Sequence, residues 1–407
     1  MSKIVVCGGR KLSGEIKVDG SKNAALPILF ATIATRGVTQ IDDLPKIRDV
    51  SVALEILAIL GAKIRREGKS VLIDTRALVN AKIPSSLTSA LRASTYLIGA
   101  CLSRFHETGV CEYGGCSFGS RPIDMHIAAA EALGAKYNDG YLSCVELTPG
   151  VIKFEKISVG ATVNALIMCS CISGESRIYG FAREPHVMSL IDFLNGAGAR
   201  IKVFCDHISV FGADLGGSYS RIIPDMIEAG TYLALSIATG SELTVVGDVS
   251  GDLSSFVLFL ESYGVRSEKC EGAIRAFGRI ERFAEVVTGP YPEFPTDLQP
   301  QTAPLLALCS GGRIIERVWS ERFSYLNELS KFGICYNRSP GEAVILPSNV
   351  SSANAECTDL RGGAALLISA LSASGESVIE RSELIARGYT DVVTKLSRVG
   401  AQIKQID

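Results

Sequence analysis

Apolar positions along the chain fall into two interleaved series. The first is a short amphipathic stretch that closes on glycine and runs into a strand-like segment. It recurs as LEILAILGAKI, AAAEALGAKY, LIDFLNGAGARIKV, FLESYGVR, YLNELSKFGICY and VVTKLSRVGAQI. The closing glycines are Gly61, Gly134, Gly198, Gly264, Gly333 and Gly400, spaced 64 to 73 residues apart. The second series is built from small and apolar residues along nearly its whole length. Its copies are NAALPILFATIATRGVTQI, ASTYLIGACLSRFHETGV, GATVNALIMCSCISGESRI, AGTYLALSIATGSELTVV, TAPLLALCSGGRII and GGAALLISALSASGESVI. These terminate at Gly37, Gly109, Gly174, Gly240, Gly312 and Gly375. A glycine just past a helix supplies a left-handed cap, and the β-branched run after it predicts a strand.

A helix that is apolar on one stripe covers a core, whereas one that is apolar nearly all round is enclosed by it. The second series therefore predicts six interior helices, with strands and the amphipathic helices outside them. Repeats of this length exceed the 20–50 residues of a solenoid. A chain of 407 residues, 47% hydrophobic, also exceeds the roughly 250–300 residues at which single cores stop growing. The expected architecture is α/β, with two domains of three repeats each.

Composition excludes more than it selects. Charged residues make up 21% and the net charge is -2, so there is no basic face for nucleic acid. No apolar run reaches the roughly 18 residues of a membrane helix. The start MSKIVVCGGRK lacks the apolar region of a secretory signal, so a cytoplasmic location is expected. Twelve cysteines are scattered along the chain, several in helix-like runs (Cys101, Cys169, Cys171, Cys309). They read as reduced thiols, most of them buried. With four histidines and no Cys-x-x-Cys pair, no metal is expected.

Candidate chemistry gathers at element ends. Helix N-termini hold anions, and a basic residue beside one reinforces this. Lys22 precedes the first interior run, Arg92 opens the second and Arg361 the sixth, while Arg121, Arg322 and Arg387 lie at other boundaries. Any one of these taken singly reads better as a solvated surface cation, but their repeated placement at element ends is the stronger signal and points to a multiply charged substrate. The segment ETGVCEYGGCSFGSRPIDMH is glycine-rich without packing periodicity, which predicts an exposed, mobile loop over Val110–Gly119. Ser120 reads as a helix cap and Pro122 as first-turn proline. Cys116 lies in that loop, where Arg121 and nearby helix amides would favour thiolate; the alternative is a loop cysteine without a role. Asp297 follows three prolines in PYPEFPTDLQPQT. There it either orients or deprotonates a hydroxyl or serves as a cap. No phosphate loop or dinucleotide fingerprint is present, so no cofactor is expected.

The stretches DGSKNAALPIL, LRAST, GGCSFGSRPIDMH, KISVGATV, AREP, PDMIEAGTYL, EFPTDLQPQ, ERFSYLNEL, TDLRGGAAL and ARGY occur in this order along essentially the whole chain. Together they resemble the UDP-N-acetylglucosamine enolpyruvyl transferase family. The resemblance implies a two-domain inside-out α/β barrel of six βαβαββ-type units, three per domain. It implies a first domain over 22–224, and a discontinuous second domain from 1–21 and 225–407. The active site is expected in the cleft between them. The implied reaction moves enolpyruvate from phosphoenolpyruvate to the sugar 3-hydroxyl of UDP-N-acetylglucosamine and releases phosphate, the first committed step of peptidoglycan precursor synthesis. By the same resemblance Lys22, Arg92 and Arg121 contact phosphoenolpyruvate or phosphate, and Asn23 contacts substrate. Cys116 protonates the enol carbon and Asp297 stands beside the attacking hydroxyl. Arg322, Arg361 and Arg387 are cations of the second domain, with Asp359 beside them as a substrate contact. Pro122, Ile123, Asp124, Ser158, Val159, Gly160 and Glu184 form the nucleotide side. A monomer or weak dimer is expected, with small-molecule substrates as the only partners.

Two positions depart from the pattern. Tyr113 stands where the family commonly has proline, which should loosen the loop, and Met226 stands where it usually has arginine. These leave open a diverged paralogue with another acceptor. Two further readings are a shikimate 3-phosphate enzyme of the same fold and a non-catalytic UDP-sugar sensor.

Overall fold

A computed structural model of the chain describes residues 2–110, 113–114 and 122–406. The third repeat shows the building unit complete. Strand Val151–Lys153 leads into an interior helix, Val159–Ser170, and then into strand Gly174–Tyr179, parallel to the first. An outer helix, Pro185–Gly196, precedes the antiparallel strands Arg200–Val203 and His207–Gly212. Four of the other repeats follow this βαβαββ order, and the second shows it without the opening strand among the described residues; three of the strands are exchanged over long sequence distances. Tyr219–Arg221 pairs in parallel with Val38–Asp42 to open the first repeat. Ser13–Lys17 pairs in parallel with Glu242–Val246 and opens the fourth. Lys3–Gly8 lies between Gly375–Glu380 and Gln402–Ile406 and completes the sixth. Five sheets have four strands, and the sheet of the second repeat has three among the described residues.

Contacts divide the described residues into a unit of 20–110, 113–114 and 122–223, called 20–223 below, and a unit of 2–19 with 224–406. Each has its own apolar core. In the second, helix Gln299–Ala307 is buried at every position, Leu360–Ser372 from Leu360 to Leu371, and Met226–Thr239 from Ile227 to Ile237. These three helices pack against one another with the sheets outside them. Their buried hydroxyls return to the backbone, as Thr302 does to Leu298 O (2.8 Å) and Ser369 to Ala365 O (3.1 Å). In the first unit Leu97–Phe105 packs against both Lys22–Ala31 and Val159–Ser170. Gly99 permits that approach: a Cβ there would stand 2.6 Å from Asn164 Oδ1 and 2.8 Å from Asn164 O. Outer helices bury one stripe, as Arg48–Ile59 does with Val50, Ala53, Leu54, Ile56 and Leu57.

All six glycines that close the amphipathic stretches have positive φ, from 85° at Gly333 to 122° at Gly198. The interior series meets its expectation only in part. Gly174, Gly240 and Gly375 have positive φ, but Gly37, Gly109 and Gly312 do not. Gly109 lies inside strand Glu107–Gly109, and His106 (φ 62°) takes the left-handed position, its amide bonding Leu102 O. At the fifth helix Gly311 (φ 74°) takes it one residue earlier. At the first, the helix tightens into a 3-10 turn, Thr32–Ala34, and leaves without a left-handed residue.

The expectation of mostly buried thiols is corrected too. Ten cysteines are described, all free; Cys101, Cys169 and Cys357 are buried, whereas Cys205, Cys270 and Cys335 are exposed. The exposed three lie at or beside hairpin strands, where the sequence shows strand-like runs but not which face is covered. Among the described residues no helix is long and apolar enough to cross a membrane, and no group of three or more His, Cys, Asp or Glu side chains could hold a metal.

Candidate active site

In the unit of residues 2–19 and 224–406 the polar centre is Asp297. Pro290, Pro292 and Pro295 bring the chain without regular structure to the 3-10 turn Thr296–Leu298, which leads into the fifth interior helix. Asp297 Oδ1 accepts from Arg322 Nη1 at 2.8 Å, and Oδ2 accepts from Arg361 Nη2 at 3.0 Å and Nε at 3.3 Å. The two guanidinium groups are 5% and 3% exposed, the carboxylate 28%. Burial pushes the carboxyl pKa up, but the charges of Arg361 and Arg322 and their hydrogen bonds outweigh it. Asp297 is held well below the usual carboxylate range. Burial likewise works against the Arg361 charge, and Asp297 more than offsets it.

The supports of this cluster are also in place. Arg322 Nη1 donates to Thr296 Oγ1 (3.0 Å), and that hydroxyl donates to Glu316 Oε2 (2.9 Å). Glu316, 3% exposed, accepts with Oε1 from Thr288 Oγ1, Val318 N and Trp319 N. One carboxylate thus ties the approach to Asp297 to the turn that leads to Arg322. Asp359 caps the sixth interior helix, accepting from Arg361 N (2.9 Å) and Gly362 N (3.0 Å). The cap fixes where the helix, and with it Arg361, begins. Arg387 ends the 3-10 turn Ser382–Arg387, two residues before a buried tyrosine, Tyr389.

In the unit of residues 20–223, Lys22 is the first residue of helix Lys22–Ala31, with Asn23 next to it. Its ammonium lies 2.6 Å from Asp49 Oδ2, a carboxylate only 3% exposed. Arg92 opens the 3-10 turn Arg92–Tyr96. Burial lowers its pKa, opposed by Tyr96 and Tyr113. Ser158 caps helix Val159–Ser170, accepting from Ala161 N (3.3 Å), and Val159 and Gly160 form its first turn. Pro122 and Ile123 lead into helix Asp124–Glu131, and Glu184 stands just before Pro185 at the start of helix Pro185–Gly196. Several of these positions converge on His126, which is 4% exposed. A Cβ on Gly160 would approach its Cε1 to 3.0 Å. Burial and then the Arg92 charge lower its pKa to about 4, against the opposing Asp124. Its Nδ1 pairs with Asn164 Nδ2 at 2.6 Å; Asn164 also donates to Thr95 O (3.0 Å) and accepts from Gly99 N (2.7 Å).

Cys116 and Arg121 lie outside the described residues. Of the predicted loop, Val110 N bonds Gly140 O (2.7 Å) and Gly114 N bonds Thr88 O (3.1 Å). Tyr113 packs on the core and reaches Gly109 O at 3.5 Å. Sequence reasoning missed Asp49, His126, Asn164, Thr296, Glu316 and Tyr389. The last five are polar residues placed by distant contacts, buried except for Thr296, which is half-buried. Asp49 alone left a signal, an acidic residue in the first turn of a helix that Arg48 opens and Lys46 precedes.

The unit of Asp297 pairs a fixed, ionised and partly exposed carboxylate with buried cations, which can orient a hydroxyl. The unit of Lys22 places a lysine at a helix start, which can neutralise an anion. From residue 6 to residue 396 the chain matches the family described as EPSP synthase (3-phosphoshikimate 1-carboxyvinyltransferase). It is 39% identical to "UDP-N-acetylglucosamine 1-carboxyvinyltransferase 3" of Caldanaerobacter subterraneus subsp. tengcongensis, with all of both chains covered. It is 36% identical to "UDP-N-acetylglucosamine 1-carboxyvinyltransferase 2" of Streptococcus thermophilus, again with full coverage. Among solved structures the enolpyruvyl transferase NikO from Streptomyces tendae superposes with a TM-score of 0.90 at 24% identity, covering 100% of this chain and 99% of that one. EPSP synthase from Acinetobacter baumannii gives 0.71 at 16% identity with both chains fully covered. These two show the fold that the repeats predict, and with the match from 6 to 396 the chain belongs to the EPSP synthase family of enolpyruvyl transferases.

Proposed function

We propose that the protein is a transferase that moves the enolpyruvyl group of phosphoenolpyruvate to the 3-hydroxyl of UDP-N-acetylglucosamine, releasing phosphate. The reaction would open peptidoglycan precursor synthesis, in the cytoplasm, by a monomer or weak dimer. The observation that carries the reading is the partly exposed Asp297 carboxylate, fixed between Arg322 and Arg361. It occurs in a chain that aligns end to end with relatives named for this activity.

In this reading Asp297 orients the acceptor hydroxyl and takes its proton. Two arginines keep the carboxylate ionised but a weak base. Substrate anions that draw on the same arginines would raise its proton affinity at the moment of need. Lys22, Arg92 and Arg121 hold the donor phosphate, Arg387 the donor carboxylate, and Asn23 assists. Arg322 and Arg361 stabilise charge that builds as the tetrahedral intermediate forms. Cys116 delivers a proton to the methylene carbon. Pro122, Ile123, Asp124, Ser158, Val159, Gly160 and Glu184 face the nucleotide sugar. The test is phosphate release from phosphoenolpyruvate with UDP-N-acetylglucosamine, with shikimate 3-phosphate and with no acceptor. The reading requires release with the sugar nucleotide alone. Faster release with shikimate 3-phosphate would reassign the acceptor, and sugar-nucleotide binding without release would leave a sensor.

A further inference from the structure

Arg361 has three nitrogens engaged by side chains, and only two of them meet Asp297. The third, Nη1, donates to the hydroxyl of Tyr389 at 3.3 Å, and the guanidinium stands 5.6 Å from the centre of that ring. Tyr389 is 2% exposed. Its oxygen also meets Thr231 Oγ1 at 2.8 Å and Gln301 Nε2 at 3.3 Å. Donor accounting fixes the direction of these bonds. A guanidinium only donates, so the phenol oxygen accepts from Arg361. Thr231 spends its single proton on Ile227 O at 2.8 Å, so the Tyr389 proton goes to Thr231. Thr231 lies on the fourth interior helix, Gln301 on the fifth and Arg361 on the sixth. Tyr389 itself comes from the segment that carries Arg387. One phenol therefore reads the positions of three helices and transmits them to one guanidinium.

We infer that Tyr389 is a positioning residue for the proposed transfer: its hydroxyl sets the rotation of Arg361 that presents Nε and Nη2 to Asp297. The reaction readout rests on the proposed function; the geometric claim does not. Without the hydroxyl, Nη1 loses its anchor inside a buried site, and the guanidinium turns toward whatever acceptor remains. Asp297 then keeps Arg322 but loses part of the Arg361 charge that holds its pKa down. The groups that bear on this titration are Arg322 and Arg361 directly, with Glu316 behind Thr296. Asp225 faces Arg361 and Tyr389, while Tyr325 faces Arg322, Glu316 and Asp359. None of them changes in Tyr389→Phe. The bonds from Nε and Nη2 to Asp297 change with that rotation, so the Asp297 carboxylate is held less firmly toward the acceptor.

The experiment compares wild type with Tyr389→Phe in two measurements. The first is steady-state phosphate release, read as kcat and donor KM, and the second is the nitrogen-15 NMR signal of Arg361 Nε, which reports its bond to Asp297. The expected result is a kcat lower by about 10-fold with donor KM within about threefold. The Arg361 Nε signal should shift, because the guanidinium turns once Nη1 loses the phenol. Thr231→Val keeps the phenol but removes its acceptor, and serves in place of Tyr389→Phe if that chain loses its near-ultraviolet circular dichroism; it should shift the same signal by less. Wild-type kcat and a wild-type Arg361 Nε signal in the variant overturn the inference and leave the function standing. A wild type that releases no phosphate sinks the function instead, and the Arg361 signal still decides the role of Tyr389.

Discussion

At the scale of single residues the account turns on groups whose charge state is set by neighbours. His126 is the clearest case, because its pKa falls to about 4 in the folded chain against about 6.5 when exposed. The unfolded chain binds the extra proton between those values, so stability rises with pH through that window. The contribution is full above pH 6.5 and is lost as pH falls toward 4, on the order of 3 kcal/mol over the whole range. Unfolding midpoints of wild type and His126→Asn at pH 7.5 and 5 measure it. The substitution should flatten the dependence, and an unchanged pH slope would show that His126 is not buried neutral. Cys116 supplies a second residue-scale outcome. If it is the proton donor beside Arg121, alkylation mapped by peptide mass should label it faster than the exposed Cys205, Cys270 and Cys335. Equal labelling of all four would remove the reason for assigning it chemistry. Asp297, Arg322 and Arg361 were legible in the sequence as residue types at element ends. Their mutual bonding was not, since 25 and 64 residues separate the partners.

At the scale of elements the interior helices were the most legible feature, because runs such as Leu360–Leu371 are buried on all sides and admit almost no charge. The glycine after each amphipathic stretch was legible for a similar reason, since only a residue without a Cβ takes φ near 100° without strain. Where the cap was His106, the pattern misled: the left-handed position moved onto a residue that the glycine rule does not nominate. Strand partnership was the least legible. Lys3–Gly8 was assigned to the second unit through family resemblance alone, and the pairing of Tyr219–Arg221 with Val38–Asp42 leaves no local mark. The N-terminal strands carry a specific outcome. Residues 2–18 bury Ile4, Val5, Val6, Leu12, Ile16 and Val18. At about 1.5–3 kcal/mol each, their sum is as large as the 5–15 kcal/mol that stabilises a typical domain. A chain without residues 2–18 should lose the 224–406 unit to limited proteolysis and leave a resistant fragment near 20–223. Resistance of both halves would mean that the N-terminal strands are not integral to that core.

At the scale of the whole molecule, two separate cores of three repeats each agree with the count of six in the sequence. The chain divides its candidate chemistry between them. Lys22, Arg92 and the residues around His126 belong to one unit, and Asp297, Arg322, Arg361 and Arg387 to the other. Repeat number was legible because each copy must solve the same burial problem. The acceptor was legible only through motifs, because no periodicity encodes which sugar a cleft receives. The central claim is the transfer itself, and the most direct measurement is product analysis. The protein is incubated with phosphoenolpyruvate and UDP-N-acetylglucosamine, and the nucleotide sugar is resolved by mass spectrometry while phosphate is counted. The account predicts a UDP-sugar bearing a carboxyvinyl ether at its 3-hydroxyl, formed one for one with phosphate and absent without the acceptor. Phosphate appearing equally without the acceptor, or a nucleotide sugar recovered unchanged, would contradict it.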